Sequence, residues 1–235
     1  MTWAARGSQL QMQLYVNREP EKLTAAVLAE LPELAGRDLC WVAPLEAARF
    51  SEPRDRAFLT VIGCDHLTAD LAEFWPVRGP VWDALAVTGD GFVVLVEAKS
   101  HPQEVYGGGT KAGPVSRARI KKALAETQRS LGLAEEPERW MDPLRPEEHG
   151  HSSVYQSANR YAHLYWLRKL GIEAWLVHLL FVEDPTFGRT SREIWEAAVP
   201  QIEDDLGLRG IRVPYATHVF LPGLDPDAAL ARELR

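Results

Sequence analysis

The sequence predicts an α/β protein in which helices flank a mixed sheet, and three observations carry that reading. Segments with helical apolar spacing alternate with short apolar runs along the 235 residues. The near-continuous apolar run from Ala174 to Val182 suits a strand buried on both faces. Thr88-Gly89-Asp90-Gly91 joins two further apolar runs, and its glycines suit the positive backbone angles of a hairpin turn.

In chain order, a helix is predicted over 20–35, with Pro20 in its first turn and Leu23, Val27, Leu28 and Leu31 on one stripe. Leu39 to Leu45 and Phe58 to Ile62 read as short strands around the charged loop Ser51-Glu52-Pro53-Arg54-Asp55-Arg56. There Arg54 and Arg56 either meet substrate or form an ion-pair cluster with Asp55. A helix from Leu67 to Trp75 ends at Pro76, and the hairpin occupies 81–98. Gly107 to Gly113 lacks the Gly-Lys-Ser/Thr ending of a phosphate-binding loop and is expected to be a mobile flap. The helix at 115–131 carries Arg117, Arg119, Lys121, Lys122 and Arg129, either a solvated face or a patch for a phosphate backbone. Residues 132–150 read as a loop. A helix from Ser152 to Leu170 ends at Gly171, then come the 174–182 strand, a helix at 191–206, a strand from Tyr215 to Leu221 and a short helical tail.

Whole-chain properties narrow the classes. With 46% hydrophobic and 25% charged residues the chain is expected to fold, as one domain over 1–235. The longest apolar run, broken by His178, is far short of the roughly 20 residues a membrane helix needs, so no membrane partner is expected. Neither a secretory leader nor a disulfide framework is evident. Cys40 and Cys64 are expected as buried free thiols in a reducing, cytoplasmic setting. The net charge of −7 argues against coating nucleic acid by bulk attraction but leaves room for a local patch.

The chemistry concentrates in the hairpin. Centred near Asp90, it sets Asp83 opposite Glu97, and Lys99 shares their face because strand side chains alternate. Two opposed carboxylates at the end of an apolar ribbon repel. A hard divalent cation, which takes carboxylate, water and phosphate oxygens, would relieve that repulsion. The competing reading is a surface Glu97–Lys99 pair beside an unrelated aspartate. On the later helix Gln156, Asn159, Arg160 and His163 recur at i, i+3, i+4 and i+7, giving amide and guanidinium donors that suit phosphate oxygens. His149 and His151 offer a different metal site, without a third ligand spaced to join them. His178, and Trp41, Trp75, Trp166 and Trp175, read as core residues.

Together these residues resemble the PD-(D/E)XK nuclease superfamily, whose restriction-endonuclease-like core runs αβββαβ. Asp83 matches its first acid, Glu97-Ala98-Lys99 its acid-x-Lys, and Gln156 the glutamine of its following helix. Trp82 stands where the namesake proline would be, and the aromatic expected one turn after Gln156 falls at Tyr161 instead of position 160. The resemblance implies a nuclease-like core at 67–182 with elaborations at 1–66 and 183–235. It implies metal-dependent hydrolysis of DNA, with Mg²⁺ or Mn²⁺ held by Asp83, Glu97, the Ala98 carbonyl and an acid from the first core helix. Glu73 is the candidate for that acid, with Asp70 and Glu30 behind it. Lys99 and Gln156 would complete the catalytic set, while Arg160, Asn159, Arg117 and Lys121 would bind substrate. The alternative is the same fold without turnover, binding nucleic acid or a protein.

Overall fold

Val93 and Leu95 pack into one apolar core and Val94, Val96 and Ala98 into another, because alternate side chains of one strand leave it on opposite faces. That strand is the centre of the protein, a computed structural model that describes residues 3–145 and 152–231. The described helices are α1 (Gly7–Arg18), α2 (Pro20–Glu30), α3 (Ala57–Val61), α4 (Thr68–Phe74), α5 (Pro114–Ser130), α6 (Pro137–Met141), α7 (Tyr155–Lys169), α8 (Arg192–Leu206) and α9 (Pro226–Leu230). The strands are β1 (Leu39–Ala43), β2 (Ala84–Thr88), β3 (Val93–Lys99), β4 (Ala174–Val182) and β5 (Ala216–Pro222).

The sheet follows chain order, β1-β2-β3-β4-β5. β1, β2 and β3 are antiparallel, whereas β4 and β5 add in parallel to β3. Residues from α1 and α2 cover the face of Ala84, Val94 and Val177. Residues from α3, α4, α5 and α7 cover the face of Leu85, Leu95 and Leu176. Helices on both faces explain why β3 and β4 are almost wholly apolar. β1 and β5 belong to this same sheet, although both fall outside 67–182. The helix leading into the antiparallel meander is α2, and α4 sits in the excursion between β1 and β2.

Several segments differ from their sequence-based reading. Phe58 to Ile62 is helical, not extended: Phe58, Leu59 and Ile62 are buried while Thr60 is exposed, a helical spacing that no alternating strand satisfies. The helix predicted over 20–35 stops at Glu30, because a residue before proline is pushed out of the α region and Pro32 follows Leu31 (φ −125°, ψ 70°). Residues 132–145 are not all loop. Pro137 starts α6, which fully buries Trp140 and Met141, and the Trp140 indole N–H donates to the Leu206 carbonyl at 2.8 Å. α1 carried no apolar stripe to reveal it. Its buried Gln11 instead donates to Asp184 Oδ1 (2.9 Å) and accepts from the Leu224 N–H (2.7 Å). Cys64 is buried, but Cys40 is exposed.

Candidate active site

The β2–β3 ladder pairs Ala84 with Val96 and Leu85 with Leu95, which puts Asp83 and Glu97 at the next step on the Leu85 face. Asp83 lies just past the last paired residue and is pinned there twice. Its N–H donates to the Val96 carbonyl (3.2 Å), and its Oδ2 accepts the Ala98 N–H (2.7 Å). Ala98 therefore meets Asp83 through its amide. The other carboxylate oxygen, Asp83 Oδ1, has no hydrogen-bond partner among the described residues.

Glu97 is buried between two cations. Lys99 Nζ lies 2.6 Å from Oε1 and Arg160 Nε lies 2.6 Å from Oε2. The Lys99 ammonium also donates to Gln156 Oε1 at 3.4 Å, a long contact between the strand lysine and the helix glutamine. Arg160 departs from its expected place on the phosphate. Its side chain donates to Glu97 and, through Nη2, to the Val81 carbonyl (2.8 Å), and it lies over the Trp82 ring at 5.1 Å. An arginine fork so engaged positions the acid that ends β3.

The same contacts sort the charges. Burial, and then the Glu97 charge, pushes the Asp83 carboxyl up to about 7. Burial would also raise Glu97, but Arg160 and Lys99 outweigh it and hold this carboxyl well below the ordinary range. Burial would lower Lys99, yet Glu97 and Asp83 overcome that and raise it, so the ammonium stays charged at neutral pH. One acid is thus held ionised, and the other sits where a neighbouring cation can decide its state.

These groups open into a cleft of about 450 Å³ outside the carboxyl end of β3, where open α/β sheets place their ligands. Glu52, Arg78, the Gly107–Gly109 backbone, Gln156, Asn159 and Arg160 also line it. Asn159 is buried, and its Oδ1 has no partner among the described residues. The glycine segment is not a free flap. Gly107 exchanges two 2.9 Å backbone bonds with Ser153, and the Thr110 N–H donates to the Met141 carbonyl. Gly109, at φ +75°, has no room for a Cβ, which would sit 2.6 Å from the Met141 carbonyl oxygen.

Other expected site residues lie elsewhere. Glu73 and Asp70 line a separate cavity with Arg119 and Lys169, because α4 belongs to the β1–β2 excursion and packs beside α5. Glu30, on α2, lines a third cavity beside His178 and His218. The acid that shares the cleft with Asp83 and Glu97 is Glu52, which accepts from Gln9 Nε2 at 2.7 Å. Arg117 pairs with Asp142 (2.6 Å) and Lys121 with Glu138, so these two cations of the basic helix are met by acids on and beside α6. Arg54, Arg56 and Arg78, by contrast, are exposed and make no ion pair among the described residues. Glu52, Arg54 and Arg56 were legible as part of a charged loop; Arg78 carried no motif. His149 and His151 lie outside the described residues.

The donor set fits a hard cation sparsely. No group of three or more His, Cys, Asp or Glu side chains able to hold a metal occurs among the described residues. Mg²⁺, however, is commonly held by one or two carboxylates, with water and phosphate completing its shell. Asp83 Oδ1, without a partner among the described residues and at a carboxyl whose ionisation burial resists, is the oxygen best placed for that. No helix of the described residues is long and apolar enough to cross a membrane. Comparison with protein-family models, with curated proteins and with solved structures gives no match.

Proposed function

We propose that this protein is a metal-dependent nuclease of the PD-(D/E)XK type, hydrolysing phosphodiester bonds of DNA in the cleft at the end of β3. The observation that carries the reading is the convergence of Asp83, Glu97 and Lys99 at one hairpin end, with Gln156 Oε1 3.4 Å from the Lys99 ammonium. The order α2, β1, β2, β3, α7, β4 follows that superfamily's core order when α3 and α4, between β1 and β2, and α5 and α6, between β3 and α7, are read as insertions.

Asp83 and Glu97 would hold Mg²⁺ or Mn²⁺, with Glu52 within the same cleft as a further acid. Such a cation, when bound, polarises the phosphate and acidifies a water. Lys99, kept protonated by its two acids, cannot take a proton from that water. Its role is to orient the nucleophile by donating a hydrogen bond and to offset charge that grows on the phosphoryl oxygens. Gln156 fixes the ammonium from the helix side. Arg160 holds Glu97 in place, and Arg54, Arg56 and Arg78 are the free guanidinium groups for the phosphate backbone.

A second reading, the same fold binding nucleic acid without turnover, is favoured by one contact pattern: both Glu97 oxygens are already taken, by Lys99 and Arg160. Incubation with DNA and Mn²⁺ separates the two. The wild-type protein is expected to cut, and Lys99→Ala to lose cutting with an unchanged circular dichroism spectrum. Cutting that survives in Lys99→Ala overturns the nuclease reading; intact wild-type binding without cutting supports the second.

A further inference from the structure

Beside the cleft lies a separate cavity of about 470 Å³, within the roughly 300–1,000 Å³ range of small-molecule sites. Gly79 lines both, so the two spaces meet at a residue with no side chain. Its lining carries Arg54 and Arg56, which make no ion pair among the described residues, and includes Trp75 and the exposed side chain of Val77. Two lining segments are tied to each other at the cavity wall. Asp55 Oδ1 accepts the Gly79 N–H at 2.5 Å, and Asp55 and Arg78 both sit in the left-handed region (φ 51° and 69°).

His163 supplies a buried polar atom in the wall of this cavity. It is 1% exposed and surrounded by Phe58, Phe74, Trp75 and Trp82, with ring centroids 5.0–6.3 Å away. Its Nδ1 lies 2.9 Å from the Asn159 carbonyl, which can only accept, so Nδ1 carries the ring proton. Nε2 is then a lone-pair acceptor with no partner among the described residues, and it lies 3.6 Å from where a Gly79 Cβ would stand. Burial pushes this imidazole down to about 3, so it remains an acceptor at any working pH.

A space walled by Leu71, Trp75, Pro76 and Val77, with the His163 acceptor in its wall, Asp55, Arg54 and Arg56 also lining it and Gly79 shared with the neighbouring cleft, suits one kind of guest. We infer that this cavity receives an unstacked nucleobase of a single strand whose neighbouring phosphate lies in the cleft. The ring packs against Trp75, an N–H of the base edge donates to His163 Nε2, and Arg54 and Arg56 hold the flanking phosphates. A continuous duplex keeps its bases stacked and cannot fill the cavity without flipping one out. The inference rests on the nucleic-acid reading of the cleft and adds the substrate class: single-stranded, or with an unpaired base at the cut.

Fluorescence anisotropy in EDTA tests it without any turnover, using a labelled 12-nucleotide oligodeoxycytidine and a fully abasic strand of the same length. Wild-type protein is expected to bind the base-bearing strand about tenfold more tightly, the scale of one base–aromatic stack. Ala57→Trp, at an exposed position on the cavity wall, should erase that ratio while leaving abasic binding unchanged. His163→Phe, which keeps the ring and removes the acceptor, should reduce the ratio several-fold. Equal affinity of the wild type for both strands, or a ratio unchanged in Ala57→Trp, overturns the base pocket and leaves the nuclease reading standing. Binding of neither strand removes the nucleic-acid reading itself. The predicted ratio in a protein that cuts nothing upholds the pocket and removes only the catalysis.

Discussion

Arg160 on α7 and Glu97 on β3 are separated by 63 positions in the chain and by 2.6 Å between Nε and Oε2. Both are buried, and Lys99 completes a three-member cluster on the opposite oxygen. The contact ties the helix that carries Gln156 and Asn159 to the strand end that carries the acids. It fixes the geometry of the cleft before any substrate arrives.

Breaking that cluster should cost much more than a surface pair. Arg160→Ala leaves Glu97 with a single partner in a dry setting and should destabilise the protein by about 3–5 kcal/mol, the range for removing one member of a buried ion pair. Urea denaturation reads this directly. A loss below about 1 kcal/mol, the range of an exposed pair, would show that the cluster is solvated.

The free arginines should behave in the opposite way. Arg54→Ala, Arg56→Ala and Arg78→Ala should each change stability by less than about 0.5 kcal/mol, since nothing in the fold depends on them. Each should weaken binding to a DNA strand and lower the salt slope by about 1 for every phosphate it no longer neutralises. Arg117→Ala and Lys121→Ala should leave the slope unchanged, because Asp142 and Glu138 already occupy those cations.

Asp83 gives the fold's stability a pH dependence. Its carboxyl is raised in the folded protein, so the fold holds a proton that the unfolded chain releases, and stability falls as pH rises from about 4 to about 7. The buried His163 and His178 and the half-buried His218, all lowered by burial, act with the other sign, so stability is lost as pH falls below about 6.5. The difference in Tm between wild type and Asp83→Asn isolates the first effect. It should shift against the wild type between pH 5 and pH 8 in EDTA, and Mn²⁺ should reverse the shift at pH 8 for the wild type alone. A pH-independent difference would mean that Asp83 titrates normally.

The two candidate third acids are separable. Glu52→Gln should weaken Mn²⁺ binding several-fold by calorimetry, whereas Glu73→Gln, facing a different cavity, should leave it unchanged. The reverse result would return the metal site to α4.

Local chemistry made much of this site readable. Of the two turn glycines Gly91 takes the positive angle (φ 88°) and Gly89 does not, while period-two alternation put Asp83, Glu97 and Lys99 on one face and helical spacing grouped Gln156 with Asn159 and Arg160. Charge alone did not show which basic groups have acidic neighbours. The basic run on α5 looked like a phosphate patch, but its acids come from Glu138 and Asp142, placed beside it only when α6 packs on α5.

By itself, then, the sequence determined the α/β class, the hairpin and the acid-x-lysine at its end, because turn residues and side-chain periodicity act over a few positions. Only the tertiary structure decided which distant groups complete the site. Arg160 turned inward to Glu97, Glu52 rather than Glu73 reached the cleft, and His163 came to floor a cavity at Gly79. Those outcomes depend on how a helix and two loops pack against the sheet, and no local propensity encodes that packing.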